Sequence, residues 1–520
     1  MKVLFIYSVF ENIGIEYLSA VLKTAGHQTD IVFDPRLFRA HRKDLSNKLF
    51  ARILNYRKYL LQQILKHDPG LIAFSVVSAD YLWACEFARD IKKLLPVPIA
   101  FGGIHPTAVP ERVIKNDFVD FVIQGEGEYA LLDLVNCLEN GEIDYSIKNI
   151  WFKRNAEVIS NPCRPFIQDL DSLPFADKDL FYHKVGYPFT IGHYCMARRG
   201  CHNNCTYCCN NVRRKIYFKD ESNLGGSKLL RRRSVDNVIE ELSWARKNYG
   251  IKVIRFNDDD FTESKPWLRE FSEKYTGNLK VPYKCFVNCS SIDEDTTTYL
   301  RESGCQEVQL GVQHIDPEIR RQLGRPIANE KIIEAIRLLR DVGINVLADN
   351  LFGVPGEREE HYHELARFYQ ENPVDLIHVY WLNYFPRTDV IKQAKEKGML
   401  DDELIKQMEE YPYQGDINVK SELHSSKWLK YKMVFETMNY FPMSLAKFII
   451  KYKLYYIFVY LNIFIPINII NYLIPKKTNT FPHPRKGYEM NALRYPRLIF
   501  RFGWKRIKLF FNNKKLSGIL

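Results

Sequence analysis

Two kinds of hydrophobic pattern alternate along the first 145 residues. Lys2–Ser8 is apolar at the length of a strand, and apolar residues between Ile13 and Ala25 recur at helical spacing. Gly26 then ends the predicted helix as its C′ residue, and Thr29–Phe33 predicts a second strand. Further strand-like runs and one helical stretch follow at Leu71–Val77, Tyr81–Leu94, Val97–Phe101 and Phe118–Ile123. Strands that alternate with helices predict a doubly wound parallel sheet over residues 1–142.

Polar residues and glycines follow three of these predicted strands. They are Ser75 and Ser78, then Gly102, Gly103 and His105, then Gly125 and Glu126. In a doubly wound sheet, ligands bind at the carboxyl ends of the strands, and a glycine lets a bulky ligand approach the backbone. Ordinary tight turns would explain any one of the three segments, but they explain all three together less easily. The pattern therefore predicts a ligand site at this edge of the sheet.

Residues 143–188 have the turn-rich composition of a linker. Beyond them, six strand-like runs alternate with helical stretches, and Ser234 is a predicted helix N-cap. The six runs are Phe189–Ala197, Val253–Asn257, Tyr283–Cys289, Glu307–Gln313, Asn345–Gly353 and Leu376–Phe385. Six parallel β/α units predict a partial (β/α)6 barrel over residues 189–400, with its active site at the C-terminal ends of the strands.

The composition indicates a globular protein with several domains. A chain of 520 residues exceeds the size at which a single hydrophobic core stops growing, about 250–300 residues. Hydrophobic residues make up 46% and charged residues 26% of the chain, which excludes a disordered protein. The N-terminal apolar run is too short for a signal peptide. We therefore expect the 11 cysteines to lie in the reducing cytoplasm and to serve metal chemistry rather than disulfides.

The net charge of +12 is concentrated at the C-terminus, where residues 441–520 contain 15 Lys and Arg against one acidic residue, Glu489. Within this stretch, Leu454–Pro475 is 22 residues long and uncharged, but Pro466 interrupts it, which disfavours a spanning helix. We expect residues 401–520 to form a basic, apolar, mostly helical region that docks peripherally on the inner membrane face. A buried helical cap is an equal alternative. Nucleic-acid binding is disfavoured because long apolar runs separate the basic residues.

Three cysteines stand at a Cys-x3-Cys-x2-Cys spacing after the first predicted barrel strand. Cys201, Cys205 and Cys208 converge only if the chain curls tightly, and the Asn203–Asn204 pair tolerates turn conformations. Soft thiolates suit zinc or an iron–sulfur cluster, and three cysteines leave one iron of a cluster open for a substrate atom. Cys209 could add a fourth thiol, but neighbouring side chains rarely point at the same metal. A zinc knuckle and buried cysteines that are close by chance are the alternatives.

The run Arg-Gly-Cys-x3-Cys-x-Tyr-Cys, which ends at Cys208, resembles the signature of the radical S-adenosylmethionine (SAM) enzymes. The resemblance implies that Cys201, Cys205 and Cys208 bind a [4Fe–4S] cluster and that Tyr207 packs near the adenine of SAM. It also implies that SAM-binding residues lie at the strand ends of the barrel. The candidates are Asp258, Asp259, Gln313, Gly353, Gly356 and Glu357. Acidic residues there would hold the amino group of SAM, and a glycine turn would admit its adenine.

The first domain resembles the Rossmann-like cobalamin-binding domain that precedes the barrel in many radical SAM enzymes. The resemblance lies chiefly in Phe101–Thr107 and in the Gly-Glu-Gly-Glu run, and it assigns the strand-end residues to cobalamin. These are Ser75, Ser78, Gly102, Gly103, His105, Gly125 and Glu126. The Asp-x-His-x-x-Gly motif that supplies an axial histidine is missing after the first strand, and His105 is not assigned as the cobalt ligand. We expect cobalamin without histidine ligation; a domain that has lost its cofactor is the less favoured alternative.

The two resemblances together imply a cobalamin-dependent radical SAM enzyme. Such enzymes cleave SAM reductively to a 5′-deoxyadenosyl radical, and the expected reaction is methylation of an unactivated carbon of an apolar or lipid-like substrate. The expected partners are this small-molecule substrate and an electron donor such as flavodoxin or ferredoxin, without nucleic acid. The alternatives are a radical cyclisation, rearrangement or oxidation without methyl transfer, and a non-catalytic corrinoid- or zinc-binding module.

Overall fold

The structure is a computed structural model of the chain. It describes residues 1–8, 10–34, 57–155, 157–185, 192–218 and 228–410, and the single residues Tyr431, Phe435, Phe448, Tyr452 and Leu454. The described residues form two compact units. The first contains the described residues up to 164 and residues 174–185, and the second contains residues 165–173 and the described residues from 192 onward.

A seven-stranded sheet forms the centre of the first unit. Its strands are β1 (Lys2–Ser8), β2 (Gln28–Asp34), β3 (Leu71–Ser75), β4 (Ile99–Gly102), β5 (Phe121–Ile123), β6 (Ile150–Arg154) and β7 (Glu157–Ser160). The order is β2-β1-β3-β4-β5-β6-β7, with β1 to β5 parallel and β6 and β7 antiparallel. This confirms the predicted doubly wound sheet. The strand order reverses between β1 and β3, which is where such sheets bind ligands.

Helices fill the crossovers between these strands. They are α1 (Ile13–Thr24), α2 (Arg57–His67), α3 (Tyr81–Lys92), α4 (Ile104–Ala108), α5 (Pro110–Val113) and α6 (Glu128–Asn140), with a 3-10 turn at Ser78–Asp80. The Asn12 side chain caps α1 by accepting a hydrogen bond from the Ile15 N–H at 3.1 Å. Gly26, with a φ of +88°, follows the end of α1 as the sequence predicts. Buried Ile72 and Phe101 of the sheet pack in the same core as α3.

Part of the predicted linker, residues 143–188, belongs to the first unit. Within it, β6 pairs with β5, and β7 pairs with β6. Buried Ile150 and Phe152 alternate along β6 with more exposed residues, as in a half-buried strand. Leu180–Val185 forms a π-helix whose Phe181 is fully buried against Tyr7. Because turn residues surround these short elements, the sequence predicted a linker where the structure has strands.

Lys178 connects residues 174–185, which we call the returning segment, to α1. Its ammonium group is fully buried and donates hydrogen bonds to Glu11 Oε1 at 2.9 Å and Glu16 Oε2 at 2.6 Å. Burial raises the pKa of the Glu16 carboxyl. The Asp177 N–H also donates to the Glu16 carbonyl at 3.1 Å. The segment after Pro174 is therefore held against the N-terminal turn of α1 by buried charges.

A six-stranded parallel sheet forms the centre of the second unit. Its strands are β8 (His193–Cys195), β11 (Ile254–Phe256), β12 (Tyr283–Val287), β13 (Cys305–Gln313), β14 (Asn345–Phe352) and β15 (Leu376–Trp381). Each strand pairs in parallel with the next, in chain order. Two short strands, β9 (Arg198–Arg199) and β10 (Arg231–Arg232), form a separate antiparallel pair. The six parallel strands agree with the predicted partial barrel, although residues 189–191 of the first predicted strand lie outside the described residues.

Helices separate the strands of the second unit. They are α7 (Cys209–Tyr217), α8 (Val235–Tyr249), α9 (Lys265–Asn278), α10 (Glu294–Glu302), α11 (Pro317–Gln322), α12 (Asn329–Asp341), α13 (Glu359–Glu371), α14 (Asp389–Glu396) and α15 (Asp402–Glu410). Ser234 caps α8, as predicted, by accepting from the Asn237 N–H at 3.1 Å. Because right-handed crossovers join strands in sequential order, the helices cover one face of the sheet. Val308 and Leu310 of β13 are buried there with Ile336 and Leu339 of α12. We call the opposite face, which carries half-buried polar residues, the concave face.

The predicted C-terminal region, residues 401–520, is described only in part. It begins with α15, but the uncharged run Leu454–Pro475 lies outside the described residues except for Leu454. Among the described residues, no helix combines the length and the apolar content needed to cross a bilayer.

Candidate active site

Two residues at the start of the cysteine loop, Arg198 and Gly200, restrict the backbone conformation there. The guanidinium group of Arg198 is buried and donates to the Asp260 carbonyl at 2.8 Å and the Gly200 carbonyl at 2.9 Å. Gly200 has a φ of +90°, and a Cβ at this position would overlap the Leu229 carbonyl oxygen. Only glycine fits such a close approach in the left-handed region. Arg198 and Gly200 therefore fix the direction in which the loop leaves β9.

The body of the loop is held from both sides. Arg214 of α7 donates to the Cys201 carbonyl at 2.9 Å. On the other side, the Thr206 N–H donates to the Leu323 carbonyl at 3.0 Å. Gly324 has a φ of +72°, and a Cβ there would overlap the Asn204 carbonyl oxygen. These contacts fix the curled conformation that the Asn203–Asn204 turn only permits.

The three predicted ligand thiols differ in burial, and two of them each have a side-chain hydrogen-bond donor nearby. Cys205 is buried, whereas Cys201 and Cys208 are half-buried. Asn203 Nδ2 donates to Cys201 Sγ at 3.5 Å, and Arg325 Nη1 donates to Cys205 Sγ at 3.9 Å. Burial raises the pKa of the Cys201 thiol, so a bound cation is needed to hold it as a thiolate at neutral pH.

The helix that follows the loop adds a positive field. α7 starts at Cys209, directly after Cys208, so its free N–H groups and the positive end of its dipole lie beside the thiols. Negative charge on the loop thiolates is therefore favoured by the local backbone.

The three thiols lie in one loop with polar support. Among the described residues, no three His, Cys, Asp or Glu side chains converge on a single point. Two of the three loop sulfur atoms have a side-chain hydrogen-bond donor nearby, and a helix begins directly after Cys208. In a [4Fe–4S] cluster each cysteine binds a separate iron atom, so three cysteines leave one iron open.

The three aspartates after β11 have different surroundings. Asp258 is buried, its Oδ2 accepts from the Ala197 N–H at 3.3 Å, and its Oδ1 has no hydrogen-bond partner among the described residues. Burial raises the pKa of Asp258 to about 6. Asp259 is exposed and accepts from Asn210 Nδ2 at 2.9 Å. Asp260 accepts from the Thr262 hydroxyl at 2.9 Å. Asp260 Oδ2 also has no partner among the described residues, so of the two aspartates predicted from the sequence to bind SAM, Asp258 is the one with a buried free oxygen.

The predicted SAM residues after β13 and β14 come together. Glu357 is buried, and its Oε2 accepts from the Gly353 N–H at 2.5 Å and the Val354 N–H at 3.2 Å. A Cβ on Gly353, whose φ is +80°, would lie 2.8 Å from the Trp381 ring. Gln313 has a φ of +67° and lines, with Glu357, a cavity of about 10 Å³. Glu357 and Gly353 therefore shape the turn, and Gly356 completes it with a φ of +89°. Tyr207, from the cysteine loop, packs against the apolar cluster that includes Leu323 and Leu351.

The concave face presents polar side chains that are not among the site residues predicted from the sequence. The Arg255 guanidinium lies 5.1 Å from the Phe286 ring centroid, and Lys284 Nζ lies 3.5 Å from Glu307 Oε1. Asp349 accepts from Gln309 Nε2 at 2.7 Å, and its Oδ1 lies 3.3 Å from His378 Nδ1. These residues alternate with buried apolar residues along their strands. The period of two was the signal that could have placed them on the face opposite the helices.

In the first unit, the three predicted loops are joined to one another. The His105 N–H donates to the Val76 carbonyl at 3.1 Å, and the Gly125 N–H donates to Thr107 Oγ1 at 3.0 Å. Gly103 has a φ of +100°, and a Cβ there would lie 2.7 Å from the Val76 nitrogen. The structure therefore brings Ser75, Ser78, Gly102, Gly103, Gly125 and Glu126 to one edge of the sheet.

His105 differs from the other predicted cobalamin residues because its side chain is internal. It is fully buried, its ring centroid is 4.2 Å from that of Tyr81, and its Nδ1 lies 3.2 Å from Ser78 Oγ. Burial lowers the pKa of His105 to about 3, so the ring is neutral. The structure places the His105 side chain inside the loop, against Tyr81 and Ser78.

The same edge carries exposed apolar surface where the axial-histidine motif is missing. Phe10, after β1, is 54% exposed, and Ile104, after β4, is 43% exposed. Exposed large apolar side chains beside a ligand edge are typical of a binding surface. Together with the glycine backbone at Gly102 and Gly103, they leave apolar surface at this edge of the sheet.

Comparison with known families decides between the possibilities left open by this geometry. The family model of the radical SAM superfamily matches residues 198–369, and that of the B12-binding domain matches residues 3–135. The chain combines a B12-binding domain with a radical SAM domain. Its cofactors are a [4Fe–4S] cluster, SAM and cobalamin.

Curated relatives of this radical SAM enzyme include methyltransferases and a cyclase. It is 26% identical over 395 residues to an uncharacterized methyltransferase of Pyrococcus horikoshii, covering 75% of this chain and 79% of the relative. It is 23% identical to the cytidylyl-2-hydroxyethylphosphonate methyltransferase of Streptomyces wedmorensis, covering 66% and 69%. The anaerobic magnesium-protoporphyrin IX monomethyl ester cyclase of Synechocystis is 24% identical over 56% of this chain and 57% of its own.

Two solved structures share the fold. The radical SAM methyltransferase TsrM of Kitasatospora setae, with tryptophan and a SAM analogue bound, matches with a TM-score of 0.59 at 18% identity, over 76% of both chains. The cobalamin-dependent SAM radical enzyme OxsB, with aqua-cobalamin and SAM bound, matches with a TM-score of 0.57 at 16% identity. That match covers 78% of this chain and 56% of OxsB.

Proposed function

We propose that this radical SAM enzyme methylates an unactivated carbon of its substrate. The observation that carries the proposal is the presence, in one chain, of a B12-binding domain and a cysteine loop whose curl is fixed by Gly200 and Gly324. The relatives named as methyltransferases, matched over about two thirds or more of both chains, support it. When bound, the cluster and SAM supply a radical that removes a substrate hydrogen atom, and cobalamin supplies the methyl group.

We propose that Cys201, Cys205 and Cys208 hold the cluster as thiolates. We further propose that Asp258 accepts a hydrogen bond from the amino group of SAM, because its buried Oδ1 has no partner among the described residues. Asp259 is the second candidate, although it is exposed and bonded to Asn210. The turn shaped by Gln313, Gly353, Gly356 and Glu357 is proposed for the adenine, which Tyr207 would also contact.

For cobalamin, we propose the strand-end residues of the first unit, with one change. Ser75, Ser78, Gly102, Gly103, Gly125 and Glu126 remain candidate contacts. His105 instead supports the loop from inside, because its side chain is fully buried. Phe10 replaces it as a candidate contact, because it is exposed at the carboxyl end of β1.

A product assay tests the proposed reaction. Anaerobically reconstituted enzyme, given hydroxocobalamin, SAM and dithionite, is incubated with candidate substrates. Methylation through a radical predicts 5′-deoxyadenosine together with S-adenosylhomocysteine, because one SAM is cleaved and another donates its methyl group to cobalamin. The Cys205→Ser variant is expected to give neither product. Formation of neither product by the wild-type enzyme with any substrate would contradict the proposal.

Radical cyclisation or oxidation is the second candidate function. The match to the cyclase of Synechocystis favours it, since that protein shares the fold segments aligned here and is named for ring formation. A cyclase consumes SAM only to start the radical. Formation of 5′-deoxyadenosine without S-adenosylhomocysteine, in the presence of cobalamin and substrate, would therefore select this alternative.

An apolar or lipid-like substrate, and peripheral docking on a membrane, are proposed from composition alone. Support comes from the basic, apolar residues 441–520, which lie largely outside the described residues. Lysines and arginines near anionic lipid contribute about 1 kcal/mol each. Sedimentation with phosphatidylglycerol vesicles at low and high salt tests the docking. We expect salt-sensitive pelleting with these vesicles and none with phosphatidylcholine vesicles; absence of pelleting with both would contradict it.

A further inference from the structure

Arg325 is a buried cation with no carboxylate partner among the described residues. Its side chain follows the tight turn at Gly324, and the residue is 9% exposed. Its Nη2 donates to Asn288 Oδ1 at 3.1 Å and to the Gly311 carbonyl at 3.0 Å. Within the part of the chain that the structure describes, no acidic side chain forms an ion pair with it. The guanidinium charge is therefore met only by neutral oxygens and by a sulfur atom.

That sulfur atom belongs to the cysteine loop. Arg325 Nη1 lies 3.9 Å from Cys205 Sγ, the most buried of the three candidate ligands. A buried cation without a counter-charge is unfavourable, because burial removes its hydration. A cluster-bound Cys205 thiolate would provide the missing negative charge. The local geometry thus pairs Arg325 with the cluster and with no other described anion.

The position of Arg325 is fixed by the backbone on both sides. Gly324 packs against the loop at Asn204, and the Arg325 N–H donates to the Arg320 carbonyl at 2.8 Å. At the far end, Gly311 has no Cβ, which would lie 3.3 Å from Arg325 Nη2. The charge cannot swing away from Cys205 without breaking the hydrogen bonds to Asn288 and Gly311. A fixed charge next to a ligand sulfur is one of the factors that set the reduction potential of an iron–sulfur cluster.

We propose that Arg325 tunes the cluster by raising its midpoint reduction potential. The inference rests on the proposed cysteine ligands. In the reduction step, one electron passes from the external donor to the cluster; no bond forms or breaks, and no proton is needed. The reduced cluster carries one more negative charge than the oxidised cluster, so a nearby fixed cation stabilises the reduced form more. Arg325 is a positioning residue for the charge and not a ligand.

The test is a redox titration of full-length, anaerobically reconstituted enzyme, followed by the paramagnetic signal of the reduced cluster. Arg325→Gln removes the charge and keeps hydrogen-bonding groups, and we expect a shift to a more negative midpoint potential. Arg325→Lys keeps the charge but loses the forked geometry, and we expect a smaller negative shift. Iron and sulfide content measured in parallel show whether each variant holds a full cluster. An unchanged potential in Arg325→Gln with full iron content would overturn the proposal.

Two further variants keep the test decisive. Asn288→Asp introduces a carboxylate where Arg325 now meets an amide oxygen, so we expect it to lower the midpoint potential as well. This variant tests the effect of the Arg325 charge even if Arg325→Gln loses its cluster. Arg320→Gln is the matched control. Arg320 is buried like Arg325, but its donors reach the carbonyls of His314 and Ile327 and no sulfur. We expect its potential to equal that of the wild type. An equal shift in Arg320→Gln would overturn the proposal, while product formation would still stand as the separate test of the proposed function.

Discussion

At the scale of single residues, Gly200 and Gly324 determine whether the cysteine loop can close. Both have positive φ, and at both a Cβ would overlap a backbone carbonyl oxygen of a neighbouring segment. Backbone cannot move aside as a flexible side chain does. The loop therefore depends on two glycines outside the Cys-x3-Cys-x2-Cys spacing. The sequence signature contains Gly200, but Gly324 lies more than a hundred residues later and no local pattern links it to the loop.

Gly324→Ala is expected to cost the enzyme most of its cluster. The added Cβ would push Asn204 away and displace Cys205, so the thiols would no longer meet the cluster. Iron and sulfide content after anaerobic reconstitution is the measurement. Gly250→Ala is the matched control, because Gly250 also has a positive φ, +61°, but open space around it. Both variants lose about 1–2 kcal/mol of stability from the backbone conformation. Full iron content in Gly324→Ala would contradict the role of the close approach.

The proposed contact of Asp258 with the amino group of SAM predicts that SAM binding depends on pH. Its carboxyl has a pKa of about 6, raised by burial, so it is mostly protonated at pH 5 and mostly ionised at pH 7. The ionised form is the better acceptor for the amino group of SAM. We expect the affinity of the reconstituted enzyme for SAM to rise between pH 5 and pH 7, measured by equilibrium dialysis.

The Asp258→Asn variant separates this effect from other titrating groups. It should bind SAM more weakly than the wild type at pH 7, and the difference should shrink toward pH 5. Asp259→Asn, at an exposed position, is expected to follow the wild-type profile. If Asp259→Asn and not Asp258→Asn flattened the profile, the assignment of the two aspartates would be reversed.

At the scale of secondary-structure elements, the returning segment 174–185 is fixed to α1 by one buried ammonium group. Lys178 lies between Glu11 and Glu16, and all three side chains are almost completely buried. Burial raises the pKa of Glu16, the neighbouring Glu11 carboxyl raises it further, and the Lys178 ammonium group opposes both. This tie holds the turn before α1, where β1 ends at the candidate cobalamin edge.

Lys178→Met is expected to destabilise the first unit by about 3–5 kcal/mol, because it leaves two buried carboxyl groups without their partner. Hydrogen-exchange mass spectrometry of peptides from β1 and α1 measures the local opening free energy. Lys23→Met is the control: Lys23 pairs with Asp177 at 2.7 Å but is 39% exposed, and such a pair contributes at most about 1 kcal/mol. Equal effects of the two substitutions would show that the buried ion pairs of Lys178 contribute no more stability than the exposed pair of Lys23.

The elements themselves were predictable where apolar runs are long and regular. The strands of the parallel sheets and the caps at Gly26 and Ser234 follow from hydrophobic period and capping chemistry. β6 and β7 were not predicted, because two four- or five-residue strands among turn residues carry little periodic signal. β6 pairs with β5, which lies well before it in the chain, so no local sequence pattern reveals this contact. The half-buried polar residues of the concave face were missed for the same reason, since the face on which they lie is set by the sheet.

At the scale of the whole molecule, the chain joins two α/β units with separate ligand edges. The first presents the edge at the β1–β3 reversal, and the second presents the cysteine loop and the strand ends of a partial barrel. The cofactor set could be predicted from the cysteine signature and the glycine turns. Two features required coordinates: the burial of the His105 side chain inside its loop, and the approach of Arg325 to Cys205. Neither follows from spacing along the chain.

The central claim is that Cys201, Cys205 and Cys208 hold a [4Fe–4S] cluster with one iron open to SAM. The most direct test is low-temperature electron paramagnetic resonance of anaerobic protein reduced with dithionite, recorded without and with SAM. We predict the signal of a reduced [4Fe–4S] cluster, a change in that signal when SAM is added, and loss of the signal in Cys205→Ser. A wild-type signal that SAM leaves unchanged, or iron-free protein from anaerobic cells, would contradict the claim.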